Sequence, residues 1–517
     1  MKRKTSLAGL LAVFLFAGPL LSGCGGTPPP EEQNPSFTWW IPLYPHIAKT
    51  ADNFIEVPFY QELQRRTGVT LQFVHPPVGQ EAESFNTMVS SGELTDFIEK
   101  DFIMYRGGPA RAIEEGLLVD LTDAVQQHAP NLNRILEENP DWKKQVSLDN
   151  EGYYIFPFLR GDDYLLSWFG PQIRKDILGK HGLPLPETIS DWENALRIFQ
   201  KEGLDYPLTF KGISLRETGM FIGAYGVTMG IYQDDGVVKY GEMQDAYFSF
   251  LKLFSSWYRD GLLDPEYYLH DEKAFDSKVT SGEAGAFMAS AGSGMGSYLP
   301  VLQRRVPGAE LSGTKYPVLT RGDMPEFGQK DFNYVPTNSV GVTKACKNLE
   351  AAAAFFDYGY SEEGHMLFNF GIEGESYEMV DGYPTYTELI TNNPDGLAMV
   401  YAMGRYMASS YGGPFVQDKR EYEQYMQYPQ QHEAIRLWSK NKANHTIPPI
   451  TLTVEESNRA SALLGVIVPY KEKCLQEFIT GQESLENFDS FRQELKEMGI
   501  DEVIEIYQRA LDRYNSR

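Results

Sequence analysis

The sequence predicts an α/β fold with a parallel sheet, distributed over two domains or three. Three observations carry this reading. Phe37-Thr38-Trp39-Trp40-Ile41 is a short strand-like run. A helix follows it, with Pro58 near its first turn, Phe59 and Leu63 at helical spacing and Gly68 as its stop. Val69, Leu71 and Phe73 then alternate with polar neighbours up to His75-Pro76-Pro77. Strand, helix and strand of these lengths make a βαβ unit, which places the two strands side by side and parallel. The chain of 517 residues is too long for one ordinary core.

The alternation continues along the chain. Ser84–Ser91 reads as a helix and Asp96-Phe97-Ile98 as a short strand. Leu117–Leu121 leads into a helix capped by Thr122 or Asp123. Tyr153–Phe158 and Leu165–Phe169 are apolar runs expected to be strands crossing between domains, and Ser339–Val342 a second such crossing. Amphipathic helices are expected at Asp191–Lys201 and Asp245–Asp260, with Trp257 on the buried stripe of the latter. Further helices are expected at Leu349–Tyr358, Gln430–Lys440, where Trp438 is a core residue, and Leu495–Tyr514.

The N-terminus carries a different message. Met1-Lys2-Arg3-Lys4 precedes an apolar run from Leu7 to Leu21, ending in Leu21-Ser22-Gly23-Cys24. A basic start, a short apolar stretch and small residues before a cut site mark a secretory signal. Small residues before a cysteine mark cleavage and lipidation, so residues 1–23 are read as a lipoprotein signal peptide and Cys24 as the lipidated first residue. An ordinary signal peptide with an incidental cysteine is the alternative. Residues 24–36, rich in Pro and Gly, read as a flexible linker. No other apolar run is long enough to span a bilayer, so the expected location is the outer face of a cell membrane, lipid-anchored.

Composition narrows the function. A net charge of −25 repels nucleic acid and anionic head groups, so no nucleic-acid partner is expected. Only three cysteines occur, with no CxxC or Cys/His metal spacing, and Cys346 and Cys474 are expected to stay unpaired. Phosphate-loop, His-Glu-x-x-His and Gly-x-Ser-x-Gly patterns are absent. No cofactor and no metal site are expected, and no catalytic residue is marked. A glycosidase or lyase would need two carboxylates at fixed separation, and nothing singles out such a pair.

Several segments together resemble the extracellular solute-binding proteins of carbohydrate ABC importers, and within them the LplA/LipO-type lipoproteins. They are Thr67-Gly-Val-Thr-Leu-Gln-Phe73, Phe85-Asn-Thr-Met-Val-Ser-Ser-Gly-Glu-Leu-Thr-Asp96, Ala112-Ile-Glu-Glu-Gly-Leu-Leu-Val-Asp-Leu-Thr122, Tyr258-Arg-Asp-Gly-Leu-Leu-Asp-Pro-Glu266 and the run from Asp357 to Tyr377. The resemblance implies a two-lobe periplasmic-binding-protein-like fold of type II, with a hinge of about three crossing segments and a ligand cleft between lobes. On that pattern residues 37–158 plus 335–400 form the first lobe and 159–334 plus 401–517 the second. It implies a binding protein, not an enzyme, that captures an oligosaccharide, works as a monomer and delivers it to permease subunits of an importer. A ligand-sensing partner of a membrane receptor would share the fold. Some relatives carry a calcium loop after the helix corresponding to Asp191–Lys201; here Lys201-Glu-Gly-Leu-Asp-Tyr-Pro207 lacks that ligand spacing, and no calcium is expected there.

Aromatic faces stack on sugar rings while polar groups bond their hydroxyls, and aromatics make up 13% of the chain. Trp40, Tyr105, Trp168, Tyr377 and Tyr411 lie near expected strand ends, crossings or Gly-rich loops and are the candidate stacking residues. Arg160, after a crossing strand, could fork two hydroxyls or pair with the carboxylate of a uronic acid, and Glu375 in Glu373-Gly-Glu375 could accept from a hydroxyl. Core packing, an interlobe ion pair and a solvated turn are the respective alternatives. Gly292-Ser-Gly-Met-Gly-Ser297 is expected to be a flexible loop whose backbone can approach a ligand.

Overall fold

The computed structural model describes residues 34–211, 221–440 and 445–517; Cys24 and the signal segment lie outside the described residues. In chain order the strands are β1 (Ser36–Trp40), β2 (Thr70–Val74), β3 (Phe97–Glu99), β4 (Phe156–Arg160), β5 (Phe169–Arg174), β6 (Tyr206–Thr209) and β7 (Ile231–Asp234). They continue with β8 (Val237–Tyr240), β9 (Ala284–Ser290), β10 (Leu311–Gly313), β11 (Tyr334–Val342), β12 (Tyr377–Val380), β13 (Tyr383–Tyr386) and β14 (Val416–Gln417).

The first βαβ unit forms as read: Phe37 pairs with Leu71 in parallel register, around the helix Pro58–Thr67 that Gly68 ends in a left-handed conformation. A six-stranded sheet grows from it in the order β14-β4-β11-β3-β1-β2, and a second, four-stranded sheet has the order β10-β5-β9-β6. Each sheet has its own core. Trp39, Phe97 and Phe356 lie at the centre of the first, with the Phe97 and Phe356 rings 4.6 Å apart. Phe221, Phe254 and the fully buried Trp257 lie in the second. Trp438 packs so closely on β5 that a Cβ on Gly170 would lie 2.4 Å from the indole, so only glycine fits there. Each fully buried large apolar side chain contributes roughly 1.5–3 kcal/mol.

The chain passes between the sheets three times: residues 161–168 from β4 to β5, 314–333 from β10 to β11, and 418–428 from β14 to the helix Pro429–Trp438. The crossings are bonded to one another. Arg160 donates from Nη1 to Asp331 Oδ2 at 2.6 Å and to the carbonyl of Leu165 at 2.8 Å. Gly161 N–H donates to the Gln417 carbonyl, and Lys419 pairs with Asp162 at 3.0 Å.

Four local expectations are corrected. Leu165–Phe169 is not a strand: Asp162 caps a short 3-10 turn at Asp163–Leu165, and β5 starts only at Phe169. Leu121, not Thr122 or Asp123, is the cap residue of the helix Thr122–His128, because Asp120 takes the Thr122 hydroxyl. Leu495–Tyr514 is two helices, Phe488–Glu497 and Ile500–Ser516, separated by Gly499 at φ 94°. Ala291–Met295 is a wound π-helical turn rather than an open loop, closed by Ser290 Oγ accepting from Gly294 N–H. Cys346 and Cys474 are both free. No described helix is long and apolar enough to cross a membrane.

A polar clasp joins the two bodies through the last helix. Arg513 donates to Asp149 Oδ2 at 2.8 Å and to Glu456 Oε2 at 2.6 Å. Arg517 bonds Asp149 and the Lys144 carbonyl, and Thr451 donates to Asp149 Oδ1 at 3.0 Å. The same helix buries Ile500 and Val503 in the second core. The double substitution Arg513→Ala with Arg517→Ala is expected to speed amide hydrogen exchange across Ile500–Ser516 and leave β1 protected. Unchanged exchange would mean that apolar packing alone holds this helix.

Candidate functional site

In open α/β sheets, ligands sit beyond the carboxyl ends of the parallel strands. Here the chain leaving β1 runs into Tyr44 and His46, and the chain leaving β9 enters the turn at Ser290–Ser293. These two loops, one from each sheet, face a shared cavity of about 330 Å³. Its walls are His46, Trp168, Ser290, Gly292, Ser293, Val400, Met403, Ser409, Ser410, Gln417, Glu421, Tyr422 and Tyr425. A larger cavity of about 760 Å³ lies on Gln145, Gly161, Asn333 and Tyr514, but no residue of β1, β2, β3, β6 or β9 lines it. Gly161 follows the carboxyl end of β4, so the larger cavity meets a strand end of the six-stranded sheet only, whereas the smaller one meets strand ends of both sheets, after β1 and after β9.

The third crossing supplies one wall. Asp418 accepts from Arg420 N–H at 2.8 Å and so starts the helix Lys419–Tyr425. Positions three and four apart share a helix face, which turns Glu421, Tyr422 and Tyr425 into the cavity together. Glu421 is 2% exposed. Burial pushes its carboxyl up to about 8, against a 3.3 Å bond from Gln417 Nε2 that works the other way. It is therefore mostly protonated at neutral pH. On the facing wall, burial holds the His46 imidazole down at about 4, so the ring is neutral, and its Nε2 is buried without a hydrogen-bond partner among the described groups.

A polar chain supports the His46 loop from behind. The β-bulge between Val335 and Val340 turns Asn338 so that Nδ2 donates to Tyr44 Oη and to the Tyr411 carbonyl, both at 2.8 Å. Tyr44 donates in turn to Glu99 Oε1 at 2.5 Å. Glu99, at the end of β3 and 3% exposed, is also pushed up to about 8 by burial. The Tyr411 ring stacks on Tyr44 at 5.3 Å and on Phe54 at 5.7 Å.

The sequence candidates fall into three groups. Trp168 lines the cavity, and its indole N–H donates to Asp331 Oδ2 at 2.7 Å. Arg160 and Tyr411 lie behind the walls: Arg160 is paired with the same Asp331, and Tyr411 packs on the Tyr44–His46 loop. The other four stand apart. Trp40 is in the first core with its ring against Phe85 at 6.0 Å. Tyr105 donates to Glu115 at 2.7 Å, Tyr377 is buried beside Phe370 in a small separate core, and Glu375 is exposed at the start of a hairpin. The sequence reading passed over Glu421, Tyr422 and Tyr425, although an acid and two aromatics at helical spacing directly after a strand were visible. It also passed over His46, which no local pattern marks.

Glu99 and Glu421 make stability depend on pH. Each carboxyl is raised in the folded protein above the ordinary value of 4.5, so the native state holds protons that the unfolded chain has already released. Stability is therefore greatest below about pH 4.5 as far as these two groups decide it, and falls as pH rises towards about 8. Thermal melts between pH 5 and 8 are expected to show this decline, and the Glu99→Gln/Glu421→Gln protein to show a flatter profile. An identical slope in both proteins would mean the two carboxyls ionise normally.

Comparison with known proteins agrees with this architecture. A fructooligosaccharide ABC transporter substrate-binding protein, FusA of Streptococcus pneumoniae, is 23% identical over 88% of this chain and 87% of its own. Lipoprotein LipO of Bacillus subtilis is 25% identical over 65% of this chain and 66% of its own. Among solved structures, the alginate-binding protein AlgQ2 superposes with a TM-score of 0.74 at 21% identity, covering 93% of this chain and 98% of that one. An HMO-binding, ABC-transporter-associated solute-binding protein from Bifidobacterium longum infantis superposes with a TM-score of 0.75 at 18% identity and covers 93% of this chain and 99% of that one. These likenesses establish a two-lobe periplasmic-binding-protein-like fold. The profile of the bacterial extracellular solute-binding proteins matches residues 48–366, more than half of the sequence, and the chain belongs to that family.

Proposed function

We propose that the protein captures an oligosaccharide in the cavity between its two sheets and delivers it to the permease of an ABC importer, performing no chemistry on it. The observation that carries this reading is the composition of the cavity wall. Trp168, Tyr422 and Tyr425 offer ring faces, while Ser290, Ser293, Ser409, Ser410 and Gln417 offer short donors and acceptors, as sugar rings require. The walls come from both sheets, so one ligand can touch both and shift an open–closed equilibrium towards closure. The names of FusA, AlgQ2 and the Bifidobacterium protein, each of which refers to a carbohydrate, support the ligand class. The name of LipO supports a lipid tether, for which the Leu-Ser-Gly-Cys run makes Cys24 the candidate residue; the protein would then act on the outer face of the membrane, as a monomer.

A thermal-shift screen against fructo-, malto-, xylo-, galacto- and human-milk oligosaccharides is expected to find one class that raises the melting temperature with concentration. The sugar should be recovered intact. No shift with any class, or recovery of a shortened sugar, would contradict the reading. Replacing Trp168 with Ala is expected to weaken the sugar found by about tenfold or more in calorimetry, on the order of 1.4 kcal/mol, with the fold retained. Unchanged affinity would remove Trp168 from the site.

A further inference from the structure

We propose that this cavity selects uncharged oligosaccharides and discriminates against sugars bearing carboxylate, sulfate or phosphate groups. The proposal rests on the oligosaccharide reading above and adds the charge class of the ligand.

The argument begins with what the wall would present to an anion. Among the described residues that line the cavity, none is Lys or Arg. The guanidinium of Arg160, behind the wall, has its charge already paired: Asp331 and the Leu165 carbonyl take its Nη1, while its Nε is buried with no hydrogen-bond partner among the described groups. Asp331 in turn holds the Trp168 indole and the Gln329 amide, so it is not released without dismantling the wall. The two ionisable groups of the wall other than tyrosines are Glu421 and His46. Both are neutral near pH 7, because burial raises the first and lowers the second.

The remaining polar wall atoms are hydroxyls and the Gln417 amide, which pair with sugar hydroxyls without a net charge, while the Trp168 indole N–H is given to Asp331. Bringing a carboxylate into such a cavity strips its water and provides no unpaired cation in compensation. Any ionised fraction of Glu421 makes this worse by like-charge repulsion. A neutral hydroxyl loses only a water-type partner and regains one from the wall. His46 Nε2, buried and unpartnered, accepts from or donates to a sugar hydroxyl according to the tautomer of the neutral ring, and in neither form supplies a positive charge.

The test uses matched ligands. The best neutral oligosaccharide of the panel is compared in calorimetry at pH 7 with the same sugar oxidised at its primary hydroxyls to uronate. The neutral sugar is expected to bind at least about 100-fold more tightly. In the Glu421→Gln protein, which fixes the uncharged state of that side chain, the ratio of the two affinities is expected to persist; loss of the preference would place the discrimination on an ionised Glu421 and contradict the neutral wall. Equal or tighter binding of the uronate would overturn the charge selection while leaving the oligosaccharide reading intact. Failure of both sugars to bind would overturn the oligosaccharide reading, and this proposal with it.

Discussion

The Arg160–Asp331 pair is the contact on which the arrangement of the site depends. One sheet is connected to the other through chain segments outside both sheets; Tyr316, Phe327 and Met426 seat them on the second core, and polar bonds tie the segments to one another. Arg160, at the end of β4, reaches across to Asp331 on the second crossing, and Asp331 also accepts from the Trp168 indole on the first. Gln329 accepts the Trp168 backbone N–H at 2.8 Å and donates to Asp331 at 2.8 Å. The Trp168 side chain, which lines the cavity, is thus held by the same carboxylate that ties two crossings together. The pair is a bond between half-buried groups, and its value lies in placement more than in net stability.

From that anchor the cavity follows by elementary steps. Parallel strands deliver the loops after β1 and β9 to the same edge, the third crossing is short enough to begin a helix at once, and Asp418 caps it. The helix period then turns an acid and two tyrosines to one side. Burial does the rest of the chemistry: it keeps Glu421 and His46 uncharged and leaves a wall of neutral hydrogen-bonding groups beside aromatic faces. Protein of strongly negative net charge can in this way present a neutral interior to its ligand, because surface carboxylates are solvated and screened while the wall is not.

Much of the fold was legible because its signals are local. The β1–helix–β2 unit has a strand period, a helix period and Gly68 as punctuation, and each element was expected within a few residues of where it stands. Leu349–Tyr358 coincides with the observed helix. Errors arose where a side chain overrides an apolar run. Leu165 and Leu166 look like strand residues, but Asp162 and Arg160 bind the backbone there into a turn. At the C-terminus the apolar period continues across Gly499, and only its left-handed conformation divides the helix. The site was less legible, because exposure of an aromatic is a tertiary property. Trp40 and Trp168 have similar local surroundings in sequence. One is sealed by Phe85 and the first core, and the other lies at a crossing where two cores part.

The measurement that tests the account most directly is small-angle X-ray scattering of the protein with and without the neutral oligosaccharide found to bind. Closure of two lobes on a shared cavity predicts a smaller radius of gyration in the presence of the sugar, saturating at the same concentration as binding. Binding with no change in the radius of gyration would contradict capture by lobe closure.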